Sequence, residues 1–194
     1  MIPVRDVIPT RTAPRATLAL LATMGAACAW PQVRDWWLPW ASDAVVLWLA
    51  GSPLEDRLGR GRFAGLVAGC AVAAAAAPAA AGWDSDPVWA ASGAIAGVLA
   101  AYLVMFPTSR ILTLVPVIIG VELVEVPAWA VFALWAALQA AAGWAALTWS
   151  AAADAAGMAI SVAAGAVVGT LGGRLLPRPE RMQVDWWDPP TSRS

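Results

Sequence analysis

The sequence predicts an all-α polytopic membrane protein, a bundle of six transmembrane helices with both termini in the cytoplasm. Of the 194 residues, 60% are hydrophobic and only 13% are charged, and the mean hydropathy is +0.67. A soluble domain of this size needs more polar surface than that. Because a transmembrane helix takes about 20 apolar residues, the chain has room for roughly five or six such helices and for little mass outside the membrane.

Prolines, glycines and charged turns bound the apolar segments and set the ends of the predicted helices. The predicted organisation is a polar leader at 1–14, a membrane domain at 15–176 and a polar tail at 177–194. The six predicted spans are residues 15–30, 36–51, 64–82, 88–107, 128–149 and 151–176. Residues 108–126 are β-branched and contain Pro116, and they are predicted to be an irregular connection. Small residues in the third, fourth and sixth spans, Gly93 and Gly97 among them, predict close packing of these helices.

The distribution of arginine predicts the orientation of the bundle. Only Arg34 lies on one side, whereas the leader, two connections and the tail hold the arginines of the other side. These are Arg5, Arg11, Arg57, Arg60, Arg62, Arg110, Arg178 and Arg181. Connections rich in arginine remain in the cytoplasm, so the leader and the tail are both predicted to be cytoplasmic.

Composition also argues against several kinds of site. The net charge of -1 leaves no basic face for nucleic acid. The sequence contains no histidine, and its two cysteines, Cys28 and Cys70, lie in separate apolar segments. We expect these thiols to be buried structural residues, and we predict no metal site and no cofactor.

Several motifs resemble one family of membrane proteins. The fourth predicted span contains the run Ala90-Ala91-Ser92-Gly93, which places one hydroxyl among small residues near the start of a helix. The other distinctive segments are the charged turn from Gly51 to Phe63, the stretch from Ala91 to Pro116 and the leader from Met1 to Arg11. Together they resemble the rhomboid intramembrane proteases. The leader resembles that of a bacterial subfamily, which implies a protein of the bacterial inner membrane.

The resemblance implies which residues occupy the catalytic positions. In active rhomboids the serine of a Gly-x-Ser-Gly motif is the nucleophile, a histidine on the sixth helix is its base, and an asparagine on the second helix helps to stabilise the oxyanion. Ser92 matches the serine, with Ala90 in place of the first glycine. Asp154 takes the histidine position and Asp43 takes the asparagine position. A carboxylate, with an ordinary pKa of about 4, is a poor proton acceptor, and its charge repels an oxyanion. The resemblance therefore implies a catalytically inactive rhomboid, a pseudoprotease.

Three functions are open to such a protein. The favoured one is non-catalytic: the protein lies among membrane lipids and binds the transmembrane helices of another membrane protein or complex, as an accessory subunit or a chaperone-like factor. The family admits substrates between the second and fifth helices, which makes the tryptophans of these helices candidate partner-binding residues, namely Trp37, Trp40, Trp48, Trp129 and Trp135. The alternatives are an active serine protease, with Asp154 or water as the base for Ser92, and a proton or ion relay through Asp43 and Asp154.

Overall fold

The structure is a computed structural model that describes residues 2–6, 13–27, 37–83, 86–117, 120–149 and 152–176. These residues are mostly helical. Their helices are α1 (Arg15–Ala27), α2 (Trp37–Leu58), α3 (Arg60–Ala80), α4 (Pro87–Met105), α5 (Ala128–Trp149) and α6 (Ala152–Leu175). Their strands are β1 (Ile2–Asp6), β2 (Arg110–Val117) and β3 (Gly120–Pro127). Within this described part of the chain, three helices are long and apolar enough to cross a membrane: α3, α4 and residues 156–175 of α6.

The prediction of an all-α fold is wrong in one respect, because the chain also forms a small antiparallel sheet. Its strand order is β1-β2-β3, with Ile2 opposite Leu114 and Arg110 opposite Pro127. The segment predicted to be irregular supplies β2 and β3, since its β-branched residues favour an extended backbone. The leader supplies β1 as an edge strand, a position in which a proline such as Pro3 is tolerated.

The second helix, α2, is longer than the predicted second span. The sequence predicts an end near Gly51, yet the helix continues through Pro53 to Leu58. Proline has no N–H group and interrupts the ladder of helix hydrogen bonds. In the same turn, the Ser52 hydroxyl donates a hydrogen bond to the Trp48 carbonyl at 3.0 Å. Gly59 then ends the helix. Its φ of 80° is a conformation that glycine adopts without strain, and it turns the chain directly into α3.

At the centre of the bundle, α3, α4 and α6 pack against one another through small residues. A Cβ built on Gly97 would lie 2.7 Å from the carbonyl oxygen of Gly165, and one built on Gly93 would lie 2.5 Å from the carbonyl oxygen of Ser161. The backbones of α4 and α6 are therefore in direct contact, as small residues allow in membrane helices. The predicted close packing of these three helices is confirmed, and it fixes the position of α4.

Glu55, in the last part of α2, anchors the start of α1. Its side chain is buried and accepts hydrogen bonds from the backbone N–H groups of Ala16 (2.9 Å) and Thr17 (2.8 Å) and from the Thr17 hydroxyl (3.0 Å). The first N–H groups of a helix lack partners within the helix, and they attract negative charge. Arg60 lies 3.8 Å from the carboxylate as a half-exposed counter-ion. The beginning of α1 is thus fixed beside the end of α2, and the two helices run antiparallel.

The opposite ends of α1 and α2 are joined by Trp40, whose indole N–H donates to the Met24 carbonyl at 3.0 Å. Both residues are buried. Trp40→Phe keeps most of the apolar volume and removes the donor, so we expect the free energy of unfolding to fall by about 1 kcal/mol. Thermal unfolding in detergent micelles measures this change. Trp129→Phe is the matched control, because Trp129 is exposed; an equal loss in both variants would contradict the contribution of the Trp40 bond.

Candidate functional site

Ser92 lies in the second turn of α4, and the residues before it determine where that helix begins. Asp86 is the N-cap, since its carboxylate accepts a hydrogen bond from the backbone N–H of Val88 at 2.7 Å. Pro87 follows at the first helical position, where its missing N–H costs nothing. With α4 held between neighbouring helices, the Ser92 side chain points into the protein and is only 4% exposed.

The Ser92 hydroxyl donates a hydrogen bond to Asp43 on α2, with 2.9 Å between Oγ and Oδ2. The other carboxylate oxygen, Oδ1, accepts from the indole N–H of Trp135 at 2.8 Å and from the side-chain amide of Gln139 at 2.6 Å, both on α5. Asp43 is completely buried. One carboxylate therefore joins α2, α4 and α5. The four residues Asp43, Ser92, Trp135 and Gln139 are called the Asp43 cluster below.

In the Asp43 cluster the acceptor of the Ser92 hydrogen bond is a carboxylate. A nucleophilic serine needs a base that takes its proton near neutral pH, and imidazole is suited to this task while an ordinary carboxylate is not. The sequence has no histidine to supply an imidazole. The negative charge of a carboxylate beside Ser92 also opposes the oxyanion that would develop there. Ser92 and Asp43 thus form a buried hydrogen bond between α4 and α2.

Of the three residues predicted at catalytic positions, the structure brings two together. Ser92 and Asp43 are in direct contact. Asp154 lies in the first turns of α6, and its side chain is outside the described residues. Further along α6, Gly157 faces the Trp89 ring, and a Cβ built on this glycine would lie 2.9 Å from the ring atom Cε3. At Gly157, α6 thus packs closely on α4, three residues before Ser92.

The predicted partner-binding tryptophans fall into two groups. Trp40 and Trp135 are buried, and each donates its indole N–H within the bundle, to Met24 and to Asp43. Trp48 on α2 and Trp129 on α5 are 43% and 61% exposed. The side chain of Trp37 lies outside the described residues. Of the four predicted tryptophans whose side chains are described, Trp48 and Trp129 are therefore the exposed ones.

Gln139 is a member of the site that was not predicted from the sequence. The available signal was its position four residues after Trp135, on the same face of a mostly apolar helix. Polar side chains inside membrane helices usually turn inward and find a partner. The Gln139 Nε2 donates to Asp43, whereas the Gln139 Oε1 is buried with no hydrogen-bond partner among the described residues. Ser161 on α6, also buried, has an unpartnered hydroxyl.

No metal site is found in the residues that the structure describes, where no three His, Cys, Asp or Glu side chains are grouped to hold an ion. Cys70 is buried in α3, where its side chain faces Gly97 of α4. Cys28 lies outside the described ranges. The Cys70 thiol is thus part of the packing between α3 and α4.

Comparison with known proteins gives one match. The family model for the Rhomboid domain matches residues 37–171. The matched range runs from the start of α2 into the last turns of α6, and it includes the whole Asp43 cluster. Neither a search of the curated proteins nor a search of the solved structures found a match to this chain.

Proposed function

The chain belongs to the rhomboid family, and from that premise we propose that it is an integral membrane protein that does not cleave peptide bonds and instead binds the transmembrane helices of other proteins. Its role is that of an accessory subunit or a chaperone-like factor. The observation that carries this proposal is the hydrogen bond from the Ser92 hydroxyl to the buried Asp43 carboxylate, in a chain of 194 residues without histidine.

The energetic argument against proteolysis has two parts. Removing the histidine of a serine protease lowers the turnover rate by about 10⁶-fold, because no other group takes the serine proton. Asp43 adds a negative charge where an oxyanion would form, and oxyanions are stabilised by donors rather than by acceptors. In the Asp43 cluster the Ser92 hydroxyl, the Trp135 indole and the Gln139 amide each donate a hydrogen bond to the carboxylate, so the single donors of Ser92 and Trp135 are already occupied.

The proposed membrane arrangement has six spans, with both termini in the cytoplasm of a bacterial inner membrane. It is supported by the sheet, in which the leader strand β1 pairs with β2 in the connection between α4 and α5. Paired strands lie on the same side of the membrane, so an even number of spans separates them. The arginines of this connection and of the α2–α3 turn are consistent with a cytoplasmic location for that side.

A partner helix would meet the outer faces of α2 and α5. These faces carry five exposed large apolar side chains, which are Val45, Trp48, Trp129, Leu134 and Leu138. Between them on α5 lie exposed alanines, which allow the backbone of a second helix to approach closely. The area around Trp48 and Trp129 therefore offers both large contact groups and room for a helix.

The absence of protease activity is tested with a fluorophosphonate probe, which labels activated serines. We expect no labelling of the purified protein in detergent or in bilayers beyond that of a Ser92→Ala variant, because the acceptor beside Ser92 is a carboxylate and not an imidazole. An active rhomboid labelled in parallel shows that the probe works. Labelling that disappears in Ser92→Ala would restore the serine protease alternative.

Helix binding is tested by photo-crosslinking in the native membrane. A photoreactive amino acid is placed at Trp48 or Trp129, and the matched control is the same amino acid at Val72 on α3, which is 68% exposed on a different helix. We expect crosslinks to one membrane protein from the first two positions and to lipid alone from Val72. Crosslinks to lipid alone from all three positions would contradict the proposed partner surface.

A further inference from the structure

The described side chains of the fifth helix, residues 128–141, contact the bundle along one narrow stripe. In residues 128–141, where the side chains of α5 are described, the buried positions follow spacings of four, three and four. They are Ala128, Phe132, Trp135 and Gln139. All other described side chains of this helix are half-buried or exposed. A helix held by so few buried groups depends on each of them, and its attachment is readily lost.

The two halves of this stripe are held by different forces. Phe132 packs edge-on against the Tyr102 ring of α4, with 5.3 Å between the ring centroids. One turn further along, Trp135 and Gln139 are held by hydrogen bonds to a single carboxylate oxygen, Oδ1 of Asp43. The polar groups of the half beyond Phe132 therefore depend on Asp43, while the Trp135 ring also packs in the hydrophobic core.

We propose that Asp43 is the latch that holds α5 against α2 and α4, so that loss of its acceptor oxygens separates α5 from α2 and exposes Ser92. Hydrogen bonds to a carboxylate are stronger than those between neutral groups. They hold the Trp135 indole and the Gln139 amide inside the bundle, next to Ser92. Asp43, at the oxyanion position of the family, thus holds α2, α4 and α5 together in this chain.

The amide of Gln139 explains why the latch depends on the carboxylate. Among the described residues its Oε1 is buried without a partner, and its Nε2 donates to Asp43. Without Asp43 the whole amide and the Trp135 N–H would be buried and unpaired, which is costly. An outward movement of α5 would take the Gln139 amide and the Trp135 N–H out of this buried position. The latch is independent of partner binding and of proteolysis, because it concerns only the contacts among α2, α4 and α5.

The test measures the accessibility of residue 92 with a thiol reagent. Ser92→Cys provides the reporter, and maleimide modification is followed by mass spectrometry at each cysteine. The native Cys70 is the internal control, because it is buried between α3 and α4, away from α5. In the Asp43→Leu background, which keeps the volume and removes the acceptor, we expect Cys modification at position 92 to be about tenfold faster or more, with no change at Cys70.

Two further backgrounds make the test specific. Asp43→Asn keeps one acceptor oxygen for α5, so modification at position 92 should stay close to the parent rate. Adding Trp135→Phe and Gln139→Leu to Asp43→Leu removes the unpaired donors and should slow the reaction again, since a fully apolar cluster has no polar group to hydrate. An unchanged rate in Asp43→Leu, equal acceleration at Cys70, or no slowing in the triple variant would each overturn the proposal.

Discussion

Gly165→Leu is expected to prevent the bundle from folding, with a loss of more than about 3 kcal/mol in the free energy of unfolding. A Cβ at this position would overlap the carbonyl oxygen of Gly93. The Cβ at position 165 and the Gly93 carbonyl are both fixed to a helix backbone, so neither can move aside as the end of a flexible side chain does. The whole of α6 would have to shift away from α4. Size-exclusion chromatography in detergent, with thermal unfolding of any monodisperse fraction, measures the loss.

The matched control is Gly65→Leu on α3, since a Cβ built on Gly65 meets nothing within 4 Å. Both substitutions add the same apolar side chain to a helix of small residues. We expect the Gly65 variant to be as stable as the parent, because leucine is also the better helix former. Equal stability of the two variants would show that the α4–α6 backbones are not in contact.

The second large effect is expected for Glu55→Ala, which should lower the free energy of unfolding by about 2–4 kcal/mol. The substitution removes the acceptor of three hydrogen bonds and leaves the first N–H groups of α1 buried without a partner. Glu55→Gln keeps an acceptor oxygen and should lose about half as much. Unfolding in mixed micelles of increasing denaturing detergent measures the differences.

Glu125→Ala serves as the comparison, because this glutamate forms an exposed ion pair with Arg110 at 3.3 Å. Exposed ion pairs contribute little, so its loss should cost less than about 0.5 kcal/mol. A Glu55→Ala variant as stable as Glu125→Ala would mean that α1 does not depend on Glu55.

Most of the helices could be predicted from sequence because they are apolar segments bounded by proline, glycine or charge, although α2 continues through Gly51 and Pro53. The sheet could not be predicted in this way. The pairing of Ile2 with Leu114 joins segments that are far apart in the chain, and no local pattern records such a partner. The β-branched residues around Thr113 gave the only local sign, and Pro116 within the same stretch argued against a strand.

The candidate site was predicted in part. Resemblance to the rhomboid proteases located Ser92 and Asp43, but nothing in the sequence indicated that they bond to each other. The inward direction of Trp135 was also not predictable, because α5 is apolar on every face and its periodicity does not distinguish the buried side. Gln139 is a polar residue in this otherwise mostly apolar helix. Which face of such a helix turns inward is decided by its partners, here by Asp43 on α2.

The sheet also has a consequence for the order in which the chain assembles during synthesis. β1 leaves the ribosome first, and β2 follows only after α1, α2, α3 and α4. Until then the leader is a strand without a neighbour, and unpaired strands are sites of mispairing and aggregation. Closure of the sheet therefore joins a strand made before α1 to the connection after α4, and a nascent chain halted before Arg110 would have four helices and an unpaired β1.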